Sequence, residues 1–335
     1  MEDKKDLFPV LSLNQNITHA IKQIISADIS GAVHSGLNNE IKYTDLNSRV
    51  HTPAEIVEDP LCGGCYVKLS ASYCQYYWLL SDVILKWIDY NVMNEICISN
   101  GISMQDLSKQ FEQAITLFSD VEKQYGDKFL GNYLNFAESV KDFIVDPHFI
   151  DKISKEFSHA LELVNCSNEK IDTKDYYCYD MNLPYEQRVN AVYCYGIAFI
   201  LLHEAAHFQL GHLSEKENYQ QEIDADESAM WSIINDLKGQ EKFTATCAII
   251  LMFFSLMLIN PSLEGDGIHP REDIRLFSAY DKLKEENDKY RLLIIGLFKL
   301  WSINDPSFPK NLINSDASIT EIRNYLERKY SRIKA

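Results

Sequence analysis

The sequence contains no uninterrupted apolar run of eighteen or more residues, the length a membrane-crossing helix needs. The longest candidate, Ala245 to Ile259, is about fifteen residues, is interrupted by Ser255 and is closed by Asn260-Pro261. It reads as a buried core helix, so no membrane span is expected. Positive charge is also scarce. With 32 basic against 49 acidic residues and a formal charge of -17, the chain would repel a phosphate backbone, which argues against nucleic acid as a ligand. The start, Met1-Glu2-Asp3-Lys4-Lys5-Asp6, lacks the apolar core of a signal peptide. A cytoplasmic location is therefore expected, with the eight cysteines as reduced thiols. Neither an internal repeat nor a low-complexity tract is present.

What the chain does have is His203-Glu204-Ala205-Ala206-His207. Four residues advance a helix by slightly more than one turn, so two histidines at that spacing share a face and can reach one tetrahedral Zn²⁺. A glutamate beside them can take a proton from a metal-activated water. The flanks fit a helix. Asn182 is a candidate cap, Pro184 lies near the first turn, Val189 to Leu202 is apolar and free of proline, and Gly211 is a candidate stop. The bland alternative is a helix whose histidines merely pack, but a glutamate between them would then need another partner to offset its burial.

Two histidines leave a metal under-coordinated. His212 misses the spacing of a third histidine by one residue and lies five residues past His207, about 140° round a continuing helix. It reads as a helix-end or surface histidine. Glu222 is the better candidate, in Glu222-Ile223-Asp224-Ala225-Asp226-Glu227-Ser228-Ala229, which opens a helical pattern running to about Leu237. Glu222 and Asp226 share a face, so the first can complete the metal shell while the second accepts a hydrogen bond from a ligating histidine. The alternative is an acidic first turn facing solvent. Further on, His269-Pro270 opens another helix, and His269 and Arg275 could stabilise an oxyanion and hold the acidic ligand in place.

His-Glu-x-x-His, then Glu-x-x-Ala-Asp-x-x-Ala, then His-Pro-x-x-x-x-Arg, in that order, resembles the gluzincin core of the CAAX prenyl protease and the HtpX-type heat-shock peptidases. The resemblance covers about residues 185 to 280. It implies Zn²⁺ on His203, His207 and Glu222, Glu204 as general base, Asp226 behind the ligands, and His269 with Arg275 near the oxyanion. Those peptidases are typically membrane-embedded. A soluble, mostly helical chain with this core looks more like the phage-exclusion peptidase Lit and its relatives, which implies a cytoplasmic endopeptidase that cleaves a host protein during infection.

The expected fold is mainly α with a small β-sheet, a gluzincin-like metallopeptidase core preceded by an N-terminal helical region. The chain is divided at the polar stretch Asn165 to Leu183, giving an N-terminal region 1–165 and a catalytic region 183–335. Helices are expected at Ile17–Ile29, Ser72–Met93, Met104–Tyr125, Phe129–Ile144, Lys282–Trp301 and Ser318–Lys334. The alternating run Tyr66-Val67-Lys68-Leu69-Ser70 is a candidate edge strand for substrate pairing, or a strand in an unrelated minor sheet. Cys62-Gly63-Gly64-Cys65 has the spacing of a redox dithiol or half a zinc site, or is a glycine turn with buried thiols. The function expected is a zinc-dependent endopeptidase acting on a protein or peptide substrate, in phage exclusion or stress response, with latency relieved by an activating peptide or partner protein. The alternative is a non-catalytic binding or regulatory protein whose zinc is structural, closed by His212 or a cysteine as fourth ligand.

Overall fold

Three short strands precede the helices: β1 (Leu37–Tyr43), β2 (Ala54–Asp59) and β3 (Gly64–Leu69). In a computed structural model, residues 10, 13, 14, 17, 37–43, 52–59, 64–110, 112–113, 146, 148–165, 184–212, 218–260, 269–283, 290–305, 307–313 and 318–331 are described. The strands form one sheet in the order β1-β3-β2. β3 runs parallel to β1 and antiparallel to β2, with Ala54 opposite Leu69 and Asp59 opposite Gly64. This corrects the expectation for Tyr66–Leu69. They are the central strand, hydrogen-bonded on both sides, and cannot accept a third strand; among the described residues, the edge strand nearest the helices is β2.

β3 leads directly into helix α1 (Ala71–Asn100), which is capped by the Ser70 side chain accepting from Tyr73 N at 3.2 Å and ends at Gly101 in the left-handed region at φ 62°. Tyr73, Tyr76, Tyr77, Trp78, Leu80, Val83 and Ile84 are all buried, so this is a core helix rather than a surface one. Burying phenols requires partners for their hydroxyls. Tyr73 Oη meets Ser255 Oγ at 2.7 Å, and Tyr76 and Tyr77 donate to the carbonyls of Ser255 and Ala248, each at 2.9 Å. Three aromatic residues thereby tie α1 to a helix about 180 positions away in sequence.

The remaining helices are α2 (Phe149–Asn165), α3 (Pro184–Gln209), α4 (Tyr219–Ile234), α5 (Gly239–Ile259), α6 (Glu272–Leu283), α7 (Arg291–Asn304) and α8 (Ile319–Ser331), with a 3₁₀ turn at Lys310–Ile313. α3 packs against α1, α4, α5 and β2, and α5 packs against α6. α1 and α3 approach so closely at Gly196 that an added Cβ would lie 2.1 Å from Tyr77 Oη. One cluster of buried apolar side chains runs from Val10 to Tyr330, so elements on either side of 165–183 share a core. The fold is mainly α with a small sheet, as expected.

Several boundaries differ from expectation. α5 begins at Gly239 rather than Ala245, and α3 and α5 are each long and apolar enough to cross a membrane by length and composition alone. That departs from the expected absence of such a segment, although 67% of each apolar window is buried inside the fold. The expected helix Lys282–Trp301 is interrupted at Tyr290, a turn residue that precedes the start of α7 at Arg291; 284–289 lie outside the described residues. β1, β2 and α2 were not anticipated. The helix expected at Ile17–Ile29 apart from Ile17 itself, the one at Phe129–Ile144, most of Met104–Tyr125, the stretch 166–183 with Asn182, and Cys62 lie outside the described residues.

Candidate metal centre

α3 carries His203, Glu204 and His207 in its penultimate turns, where one helix face points toward α4. α4 is placed by a capping box: Asn218 Oδ1 accepts from Gln220 N at 3.0 Å and Gln221 N at 3.2 Å, while Gln221 Oε1 accepts from Asn218 N at 3.0 Å. That cap starts α4 three positions before Glu222 and sets the carboxylate one turn in, facing α3. His203 and Glu222 are buried and His207 is partly so.

The three side chains converge. His203 Nε2 and His207 Nε2 are 3.1 Å apart, His207 Nε2 is 3.3 Å from Glu222 Oε1, and His203 Nε2 is 3.5 Å from Glu222 Oε2. Ligand atoms at ordinary Zn–N and Zn–O lengths in a tetrahedral shell are roughly 3.3 Å apart, so the donors stand at the spacing such an ion requires. Two imidazoles and one carboxylate suit zinc rather than calcium or magnesium, which take oxygen shells. Among the described residues these three are the His/Cys/Asp/Glu group able to hold a metal.

A layer of partners stands behind these three side chains. Asp226 Oδ1 lies 2.9 Å from His203 Nδ1, and Arg275 grips the same carboxylate through Nη2 at 2.7 Å and Nε at 2.8 Å. Arg275 Nη2 is also 3.9 Å from Glu222 Oε2, and its guanidinium sits over the Phe253 ring at 5.3 Å. Burial disfavours charge on all of them, but the charges compensate. Burial would raise the Asp226 carboxyl, yet Arg275 and His203 hold it below its ordinary range. Burial would lower His203, yet Asp226 and Glu222 outweigh it and raise the imidazole to about 9. The cluster thus favours positive charge between its carboxylates, and metal binding there would displace a proton.

Glu204 projects beside this group, half-buried. Burial raises its pKa, with His203 and His207 opposing and Glu222 adding to the rise, while the Ile56 backbone N–H favours the charged form. β2, an edge strand among the described residues, therefore runs past the glutamate. His269 stands at the rim with Nε2 3.5 Å from Glu222 Oε1 and its side chain 44% exposed.

Every sequence-derived candidate, His203, Glu204, His207, Glu222, Asp226, His269 and Arg275, lies in this one constellation. His212 lies just past the helix end, as one of its two expected placements had it, but it is not a surface residue: it is buried, and its Nδ1 is 3.1 Å from His207 Nδ1. The helix does not continue beyond Gln209, and Gly211 at φ 76° turns the chain back. A search of curated proteins and a search of solved structures each find no match to the chain. Residues 132–296 match the family model described as Peptidase U49, a span that contains His203, His207 and Glu222 and supports a peptidase.

Proposed function

We propose that the protein is a zinc-dependent endopeptidase of gluzincin type. The observation that carries this reading is the convergence of His203, His207 and Glu222 at tetrahedral donor spacing with Glu204 alongside. Zinc bound there would supply Lewis acidity to an attacking water and to the scissile carbonyl. Glu204, its pKa raised by burial, takes the proton from that water and passes it to the leaving amine nitrogen. His269, at the exposed rim, donates a hydrogen bond to the carbonyl oxygen as it gains negative charge. Of the two roles expected of Arg275, its bidentate hold on Asp226 favours bracing the ligands over meeting the substrate.

An extended substrate can add to β2 and lie across Glu204. Among the described residues β2 is an edge strand, unlike the central β3, and so offers backbone groups for that pairing beside the Ile56 N–H that meets Glu204. The competing reading, a structural zinc closed by a fourth protein ligand, is disfavoured because His212 meets the outer nitrogen of His207 and no cysteine joins the cluster among the described residues. A cytoplasmic role in phage exclusion, with a host protein as substrate and an activating partner that relieves latency, is the cellular setting the narrower resemblance implies.

The test is proteomic detection of new protein termini in bacteria expressing the wild type or Glu204→Gln, with and without phage infection. New termini that vanish with Glu204→Gln, while that variant still carries zinc, are expected. Identical termini from a zinc-loaded Glu204→Gln protein would remove Glu204 as the base.

A further inference from the structure

The two histidines of the cluster have unlike outer partners. His203 Nδ1 faces the carboxylate of Asp226 at 2.9 Å, whereas His207 Nδ1 faces another imidazole, His212 Nδ1, at 3.1 Å. A histidine that binds a metal through Nε2 carries its proton on Nδ1 and donates it outward. Two Nδ1 atoms at hydrogen-bond distance need one donor and one acceptor. With His207 the donor, His212 Nδ1 is the unprotonated acceptor and its proton resides on Nε2.

We propose that His212 is a positioning residue for the metal centre, which fixes His207 as an Nε2 ligand by accepting its Nδ1–H. The inference rests on the metal-centre reading above. Its geometry is built by the end of α3. The backbone N–H of Leu210 still bonds to the Ala206 carbonyl, at 2.9 Å, but Gly211 N turns to the Phe208 carbonyl at 3.2 Å and Gly211 adopts φ 76°. Only a glycine adopts that conformation without strain. A continuing helix would carry residue 212 about 140° away from His207; the left-handed turn instead folds the imidazole back onto the outer edge of the His207 ring. His212 is 9% exposed, and its ring meets the His207 ring edge-on with centroids 5.2 Å apart. It lies across the ring from Nε2 and is therefore no fourth ligand.

This arrangement makes the two histidine ligands inequivalent. Asp226 brings full negative charge to the back of His203, and Arg275 tempers it. A neutral imidazole behind His207 orients the ring without adding charge, so the centre keeps a total of one ligand carboxylate and one carboxylate behind it.

The experiment measures zinc affinity by competition with a chromophoric chelator for the wild type, His203→Ala, His212→Ala and His212→Asn, and the visible absorption of each after cobalt(II) replacement. The melting temperature of each zinc-free protein serves as the folding control. His212→Ala should bind one zinc about 10–100-fold more weakly, the usual effect of removing an outer partner, with the cobalt band keeping its four-coordinate intensity. His212→Asn, whose Oδ1 can take the place of Nδ1 as acceptor, should recover most of that affinity. Wild-type affinity in His212→Ala would overturn the inference alone, leaving the centre intact. Loss of zinc in His212→Ala as complete as in His203→Ala, with a changed cobalt coordination number, would make His212 a ligand and overturn it. Collapse of both zinc-free His212 variants would make it a packing residue and overturn it. Absence of zinc from the wild type would overturn this inference and the metal-centre reading together.

Discussion

Breaking the Arg275–Asp226 pair should destabilise the protein strongly, and the cost should be shared rather than additive. Arg275 has its side chain 11% exposed and Asp226 9%, and two hydrogen bonds of 2.7 and 2.8 Å join them. Removing one partner of such a buried pair leaves the other charge uncompensated, at a cost of about 3–5 kcal/mol. Arg275→Met leaves Asp226 with His203 as its remaining close partner at 2.9 Å. Asp226→Asn leaves Arg275 with Glu222 Oε2 at 3.9 Å, so its cost falls at the lower end of that range. The double variant leaves no orphaned charge, and its cost should fall short of the sum of the singles by about 2 kcal/mol. Urea unfolding at neutral pH in the presence of chelator measures all four proteins without metal linkage. Additivity within about 0.5 kcal/mol would refute the claim that these two charges act as a unit.

Asp82, fully buried beside Lys86 at 2.6 Å, has its carboxyl raised to about 6 from an ordinary 3.8, chiefly by burial and against the pull of Lys86. The folded state then holds a proton that the unfolded chain releases, so this group's contribution to stability falls by about 3 kcal/mol as pH rises from about 4 to 6. Asp82→Asn should flatten that part of the stability–pH curve, and a curve parallel to wild type from denaturant titrations would contradict the assignment. Gly196→Ala, forcing a Cβ to within 2.1 Å of Tyr77 Oη, should cost about 1–3 kcal/mol as an overpacked core; an unchanged melting temperature by circular dichroism would show that α1 and α3 can separate there freely. Saturating zinc should raise the melting temperature of wild type by mass action and leave that of His203→Ala unchanged, a difference that scanning calorimetry reads directly.

The centre was legible because its signals are local. His203 to His207 and Glu222 to Asp226 each encode a shared helix face through their own spacing, and the structure only had to bring α3 and α4 together. His212 was not legible, because the 140° argument assumes a continuing helix and the left-handed turn at Gly211 cancels it. The central place of Tyr66–Leu69 was likewise hidden. An alternating pattern reveals a strand but not its neighbours, and β1 and β2, though no shorter than β3, carry polar and acidic stretches such as Asn38-Asn39-Glu40 that do not stand out. α1 was read short at Met93, because its last turns carry Asn94, Glu95 and Asn100, and only the Gly101 cap closes it.

The most direct test of the central claim is zinc content by elemental analysis of the purified wild type, beside Glu222→Ala, after dialysis against metal-free buffer. The account predicts one zinc per wild-type chain and a large loss from Glu222→Ala. A wild-type protein that holds no zinc, or a Glu222→Ala variant that retains it fully, would contradict the placement of the metal on His203, His207 and Glu222.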